Sequence, residues 1–238
     1  FLKKKIRQFD SLYKNFKNFE WILVTEKNDL KTKKFIKLIK RKYLKVIIGN
    51  FNSAELAFAK GFQLSKGKYI NFHGDDDFFN LKELKYLNKK IFLENHEWII
   101  YEGEYINEEF IITRKIITYI KSFLLRSYGL LDLTIVNYIM TPSVFVRRSI
   151  LLKVGGLGKT KRSGSDYVLW IKLNNLYKPK IYNHKLTYSM LTHKTITGTF
   201  EMDKYIYIFK QMMNNNNRIL SKFLIIASIS CTIIYNFI

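Results

Sequence analysis

Residues 67–79 read GKYINFHGDDDFF. A glycine opens the stretch, an apolar-leaning strand follows over 68–72, and that strand runs into three consecutive carboxylates, Asp75, Asp76 and Asp77. Three adjacent like charges repel, and ordering them without a cation has little to recommend it. A divalent cation such as Mg2+ or Mn2+ takes hard oxygen ligands and keeps water and phosphate oxygens in its shell. One or two carboxylates therefore suffice when a diphosphate supplies the rest. Side chains alternate along a strand, so Asp75 and Asp77 converge if the strand continues, whereas a turn starting at Gly74 changes that geometry. The triplet alone leaves the main ligand open. It also suits a plain turn or helix start, which aspartate favours.

Working outward, residues 1–18 carry Leu2, Ile6, Phe9, Tyr13 and Phe16 at helical spacing. Residues 20–25 (EWILVT) read as a buried strand, 32–42 as an amphipathic helix and 46–48 as a short strand. Ser53 is a good N-cap for a helix over 54–65. Strand and helix thus alternate at βαβ spacing, which predicts an α/β fold whose mostly parallel sheet is flanked by helices. Such sheets bind ligands beyond the carboxyl ends of their strands, where the triplet lies. Further on, 81–93 reads as a helix, 97–105 as a strand, and 109–133 as an apolar, ambiguous stretch. Residues 143–146 (SVFV) read as a strand, 149–154 as a short helix, and 179–200 as strand and loop. Asp166 opens an amphipathic helix, DYVLWIKL. Capping is the simplest role for Asp166; a general base that takes a proton from an acceptor hydroxyl is the functional one.

The formal charge of +22 points to an anionic partner, a membrane surface or nucleic acid, or to a coding bias that favours lysine. Nucleic acid is the weaker reading, because the lysines are spread along the chain and no helix-turn-helix, zinc or RNA-binding signature stands out. The single Cys231 excludes an intrachain disulfide framework and suits a reducing compartment. No Cys/His cluster has zinc spacing, no G-x-x-x-x-G-K-[ST] loop is present, and no nucleophile–base order is evident. Residues 223–238 (FLIIASISCTIIYNFI) are nearly uncharged and apolar. Extended back to Ile219, they form either a membrane-associated helix or a buried C-terminal one.

With these pieces in view, the chain resembles an inverting glycosyltransferase of family 2, with the GT-A nucleotide-sugar fold, over roughly residues 1–200. EWILVTEKND (20–29), SAELAFAKGFQLSKGKYI (53–70) and NFHGDDDFF (71–79) resemble the family's strand with an acidic end, its small-residue helix and its G-x-Y-I-x-F-L-D-x-D-D segment. TPSVFVRRSILLKVGGL (141–157) and SDYVLWIKL (165–173) resemble the later strand, Val-Gly-Gly turn and Glu-Asp helix. The resemblance implies a metal on Asp76, Asp77 and His193, and a sugar donor held by Glu26, Asn28, Asp75, Asp76 and His193. Asp166 falls on the catalytic base. YSMLTHKTIT (188–197) resembles the tyrosine and histidine stretch near the donor phosphates, which is what places His193 there.

Departures accompany the likeness. Gly74 falls on the family's first aspartate, Ser165 on its glutamate, Thr25 and Glu26 on paired aspartates, and Phe58 and Ala59 on an Arg-Asn pair. The family's first strand, with its Pro-x-Tyr-Asn-like turn, is expected upstream of what the sequence contains. The organisation implied is a glycosyltransferase domain over 1–205 and a tail over 206–238 with the apolar helix. The implied activity moves a sugar from a nucleoside diphosphate-sugar to a saccharide or lipid-linked acceptor, with Mg2+ or Mn2+, at the cytoplasmic face of the cell membrane. The competing readings are an inactive truncated relative, a metal-dependent nucleotidyltransferase and a basic nucleic-acid-binding protein.

Overall fold

The computed structural model describes residues 1–83, 94–128, 133, 137–157, 164–191 and 210. The helix expected over 81–93, His193 and the apolar segment 219–238 lie largely or wholly outside these residues.

Helix α1 (Leu2–Asn15) leads into strand β1 (Trp21–Glu26), helix α2 (Leu30–Lys37), strand β2 (Leu44–Gly49), helix α3 (Ala54–Leu64) and strand β3 (Tyr69–Asn71). Local chemistry sets these boundaries. Asp29 accepts the Thr32 amide at the start of α2, and Ser53 accepts the Leu56 amide at the start of α3. After the acidic turn come β4 (Asp77–Phe79), β5 (Trp98–Ile106), β6 (Ile112–Thr113) and α4 (Lys115–Arg126). A 3-10 turn over Thr141–Ser143 opens β7 (Val144–Arg147), followed by α5 (Arg148–Lys153), α6 (Ser165–Leu176) and β8 (Lys180–Met190).

The strands do not form the mostly parallel sheet that the strand–helix rhythm predicts. β1 and β2 pair in parallel as a two-stranded sheet of their own. The other six strands form a mixed sheet in the order β3-β7-β5-β8-β4, with β6 paired to β5. Within it β3–β7, β7–β5, β5–β6 and β8–β4 are antiparallel, and only β5–β8 is parallel. The reversal is built by long-range pairing. β7 inserts between β3 and β5, and β8 inserts between β5 and β4.

β5 is the spine. It is buried along nearly its whole length, and its side chains alternate between two apolar layers. On one face Trp98 and Ile100 join Ile70, Val144, Val146, Leu151 and the α6 residues Leu169 and Trp170. The Trp98 and Trp170 rings stack 6.2 Å apart, an arrangement worth about 1 kcal/mol beyond the area it buries. On the other face Ile99 and Tyr101 meet Phe9 and Leu12 of α1, with Phe79, Phe145 and Leu186. β4 is an edge strand, and Gln8 of α1 closes part of that edge. Its side-chain amide donates to the Phe79 carbonyl (2.9 Å) and accepts the Phe79 amide (3.0 Å), standing in for a neighbouring strand.

Candidate functional site

The register of β3 against β7 brings the two carboxylate regions to one end of the sheet. Asn71, near the end of β3, pairs with Phe145, near the start of β7. The chain leaving β3 and the turn entering β7 are therefore neighbours. The Asn71 side-chain amide donates to the Pro142 and Val144 carbonyls, both at 2.8 Å, and locks the Thr141–Ser143 turn in place. Thr141 Oγ1 then donates to Asp166 Oδ2 at 2.5 Å, while the Tyr167 amide donates to Asp166 Oδ1 at 2.8 Å. Asp166 thus sits in the first turn of α6 with both oxygens oriented, after Gly164 has entered the helix with φ 92°. The carboxylate is partly open to solvent.

The three aspartates differ in environment. Asp75 is exposed, Asp76 half-buried and Asp77 buried. Asp77 faces inward, where the Gly74 amide donates to Oδ2 at 2.7 Å and the Ser189 hydroxyl donates to Oδ1. Burial pushes the Asp77 carboxyl above its ordinary range, against the opposing pull of Lys5 and of these hydrogen bonds. Asp76 is held through its backbone, its carbonyl accepting the Met190 amide at 2.9 Å. Burial first, then the charges of Asp77 and Asp75, push the Asp76 carboxyl up to about 6.

Lys5 of α1 reaches beneath this turn and donates to the Gly74 carbonyl. It is 5% exposed. Burial lowers its pKa while Asp77, Asp75 and Asp76 act to raise it. His73, packed on the Phe79 ring at 4.4 Å, is kept well below its ordinary pKa by burial and by Lys5. The sequence points to neither Lys5 nor Ser189. They lie 69 and 112 residues from the groups they touch, and only β4–β8 pairing, with Asp77 opposite Ser189, delivers the latter.

This geometry tests the fit of a metal. Both Asp77 oxygens accept hydrogen bonds and the residue is buried beside Lys5, so the ligand role expected of it would compete with those contacts. Asp76 is the more accessible carboxylate. Its ionised form is disfavoured by burial and two like charges, which a cation relieves. Among the described residues no group of three or more His, Cys, Asp or Glu is arranged to hold an ion.

The remaining predicted site residues are placed as follows. Glu26 ends β1, but its carboxylate accepts the Phe51 amide (3.1 Å) and the Asn52 amide (2.8 Å), which fixes the loop into α3. Asn28 is exposed in the turn beyond β1. Among the described residues no hydrogen bond or ion pair joins either one to the acidic turn, and His193 falls outside those residues. Between β1 and β3 lies a cavity of about 640 Å3. Trp21–Val24, Tyr69–Gly74 and Asp75 line it, with Phe9 of α1 and Phe58 of α3 above and below. Glu20 Oε1 accepts the amides of Lys66 and of Gly67 (3.0 Å), so β1 and β3 start side by side at this cavity.

The sequence matches no protein-family model and no curated protein. The fold is similar to that of TarS from S. aureus. Against TarS 1-349 in complex with UDP-GlcNAc the TM-score is 0.63 at 16% identity, over 91% of this chain and 65% of that one. Against TarS 1-349 it is 0.62 at 17% identity, over 95% and 67%. Against the complex with UDP it is 0.54 at 15% identity, over 92% and 65%. The chain therefore spans about two thirds of the length of the TarS fragment.

Proposed function

We propose that this chain is a glycosyltransferase that moves a sugar from a nucleoside diphosphate-sugar to an acceptor hydroxyl by single displacement, with inversion. The observation that carries the reading is the meeting of the acidic turn and Asp166 at one sheet end, in a fold similar to a protein solved with UDP-GlcNAc. Asp166 takes the proton from the acceptor hydroxyl as it attacks. Thr141 and the Tyr167 amide fix the direction in which that carboxylate points. Asp76, with Asp75 beside it, would hold Mg2+ or Mn2+, which when bound neutralises the charge of the departing diphosphate. Asp77 and Lys5 shape the turn from below.

Glu26, at the end of β1, and Asn28, in the turn just beyond it, would border the donor's base and ribose. The family's first strand would fill the cavity between β1 and β3. An extended segment there finds two edges to pair with and apolar side chains above and below. The acceptor is read as a saccharide or lipid-linked glycan at the cytoplasmic membrane surface.

A donor screen tests this. Nucleotide release that depends on a sugar acceptor is the expected result, and pyrophosphate release would instead indicate nucleotidyl transfer. Asp166→Asn should lower turnover by about 100-fold or more while donor affinity stays near that of the wild type. Full activity in both Asp166→Asn and Asp76→Ala would refute the assignment.

A further inference from the structure

Helix α4 is inside out. Thr118, Ser122 and Leu125 form its buried side. Its exposed side carries Ile116 (76% exposed), Tyr119 (73%), Ile120 (49%) and Phe123 (51%). These four stand at the i, i+3, i+4, i+7 spacing of a stripe that ordinarily faces a core. Ile111 and Ile112, just before the helix, are exposed as well. Single exposed apolar residues are normal; a row of four large ones along one helix is not.

The charge around the stripe identifies what covers it. The helix sequence KIITYIKSFLLR contains no acidic residue. Arg114, Lys115 and Arg126 are exposed along its rim, and Lys121 reaches the Tyr105 hydroxyl at 3.0 Å. Lys4 stacks over Phe110, in the turn before β6, at 3.8 Å. Arg126 is ion-paired with the enclosed Glu102, and Glu108 and Glu109 in that turn are further counter-charges. A second copy would bring another cationic rim and another chain of +22 against the first. An anionic lipid surface presents the complementary charge together with an apolar interior.

We propose that α4 lies flat in an anionic membrane interface, with Ile116, Tyr119, Ile120 and Phe123 in the acyl boundary and the rim cations at the headgroups. Its 12 residues span roughly 18 Å along the surface. Among the described residues no helix is long and apolar enough to cross a membrane, so the contact is one of surface seating. The helix also stands close to the site. In one row of the sheet Thr113 pairs with Tyr105, Tyr105 with Ser189, and Ser189 with Asp77. Three strand spacings, about 14 Å, therefore separate the entry to α4 from the acidic turn. A membrane-seated α4 would hold the turn at the height of a lipid-linked headgroup.

Co-sedimentation of the full chain with vesicles tests the seating without any enzymatic readout, so its failure leaves the sugar-transfer reading standing. The wild type should bind vesicles of phosphatidylcholine mixed with phosphatidylglycerol and should bind phosphatidylcholine alone weakly. The variant carrying Ile116→Ser, Ile120→Ser and Phe123→Ser should bind the anionic vesicles about 10-fold less tightly or worse. If that variant fails to fold, Ile116→Ser alone tests the same direction at the most exposed position. Equal binding by wild type and variant would overturn the proposal and shift the contact to residues 219–238. So would equal binding to both vesicle types. A wild-type dimer in sedimentation velocity that becomes monomeric in the variant would overturn it in favour of a second copy.

Discussion

Asp76 is strained electrostatically, and the strain should be visible as stability. Its carboxyl moves from an ordinary 3.8 to about 6 on folding, because burial and the charges of Asp77 and Asp75 disfavour the ionised form. A carboxyl whose folded pKa lies above its unfolded one takes up protons on folding. The folded state is therefore free of the penalty below about pH 4, loses stability as pH rises through about 6, and carries the full cost above that. At 1.36 kcal/mol per pH unit the cost is about 3 kcal/mol, and solvent contact at this half-buried position reduces it to about 1–2 kcal/mol. Replacing Asp76 by Asn removes the charge and keeps the shape. In thermal unfolding scans with EDTA, Asp76→Asn should melt about 2–8 °C above wild type at pH 8. That advantage should shrink towards zero as the pH is brought below about 4. Reading the difference between the two proteins cancels the titration of Asp10, Glu20 and Asp29, whose carboxyls are held below their ordinary values. A difference that stays constant with pH, or an Asn variant that melts lower at pH 8, would refute the electrostatic account of the turn.

Two structural substitutions follow from contacts remote from the acidic turn. Gly103 lies where β5 meets the Thr141–Ser143 turn, and a Cβ there would come within 2.8 Å of Met140 Sδ, 2.9 Å of Ser143 Oγ and 3.0 Å of Thr187 Oγ1. Gly103→Ala should lower stability by about 1–3 kcal/mol in urea unfolding, and should also loosen the turn that orients Asp166. Arg126 donates to both oxygens of Glu102, whose side chain is fully enclosed within β5. Arg126→Met leaves that carboxylate enclosed without its partner, and denaturant midpoints should report a loss of about 2–4 kcal/mol, less if Glu102→Gln is combined with it.

Periodicity and capping disclose the elements but not their pairing. EWILVT, the Ser53 cap and DYVLWIKL each carry their own local instructions, and each becomes the element they indicate. The βαβ rhythm of the first 72 residues then extrapolates to a parallel sheet, and that step fails. Direction in the later strands depends on which edge each one reaches. Arg147 of β7 meets Tyr69 of β3, 78 positions earlier in the chain, and nothing local in SVFV encodes that meeting. The candidate site divides in the same way. The triplet and Asp166 are legible because acidic residues stand out in a basic chain. Lys5 is invisible for the opposite reason, being one cation among an excess of them, and Thr141 and Ser189 are ordinary hydroxyls until the sheet brings them to Asp166 and Asp77.

Gly74 shows how one backbone requirement distributes the roles within the triplet. A Cβ at this position would fall 2.6 Å from Asp76 Oδ1 and 3.1 Å from Asp77 Oδ2. The nearer contact is with the end of the Asp76 side chain, and the farther one is with the Asp77 carboxylate that accepts the Gly74 amide. A side chain at position 74 would therefore have to turn the Asp76 carboxylate aside. Asp77 has become the internal brace of the turn, held by Ser189 and Gly74 above the Lys5 ammonium. Bracing removes Asp77 from solvent and drives Asp76 outward, with a raised pKa that a cation or a donor's bound counter-charge would relieve. The consequence is an asymmetric triplet in which Asp77 is buried and hydrogen-bonded, Asp76 is half-buried with a raised pKa, and the exposed Asp75 adds field to Asp76 and Asp77. Substituting Asp77 should therefore injure folding first and donor binding second, while substituting Asp76 should do the reverse.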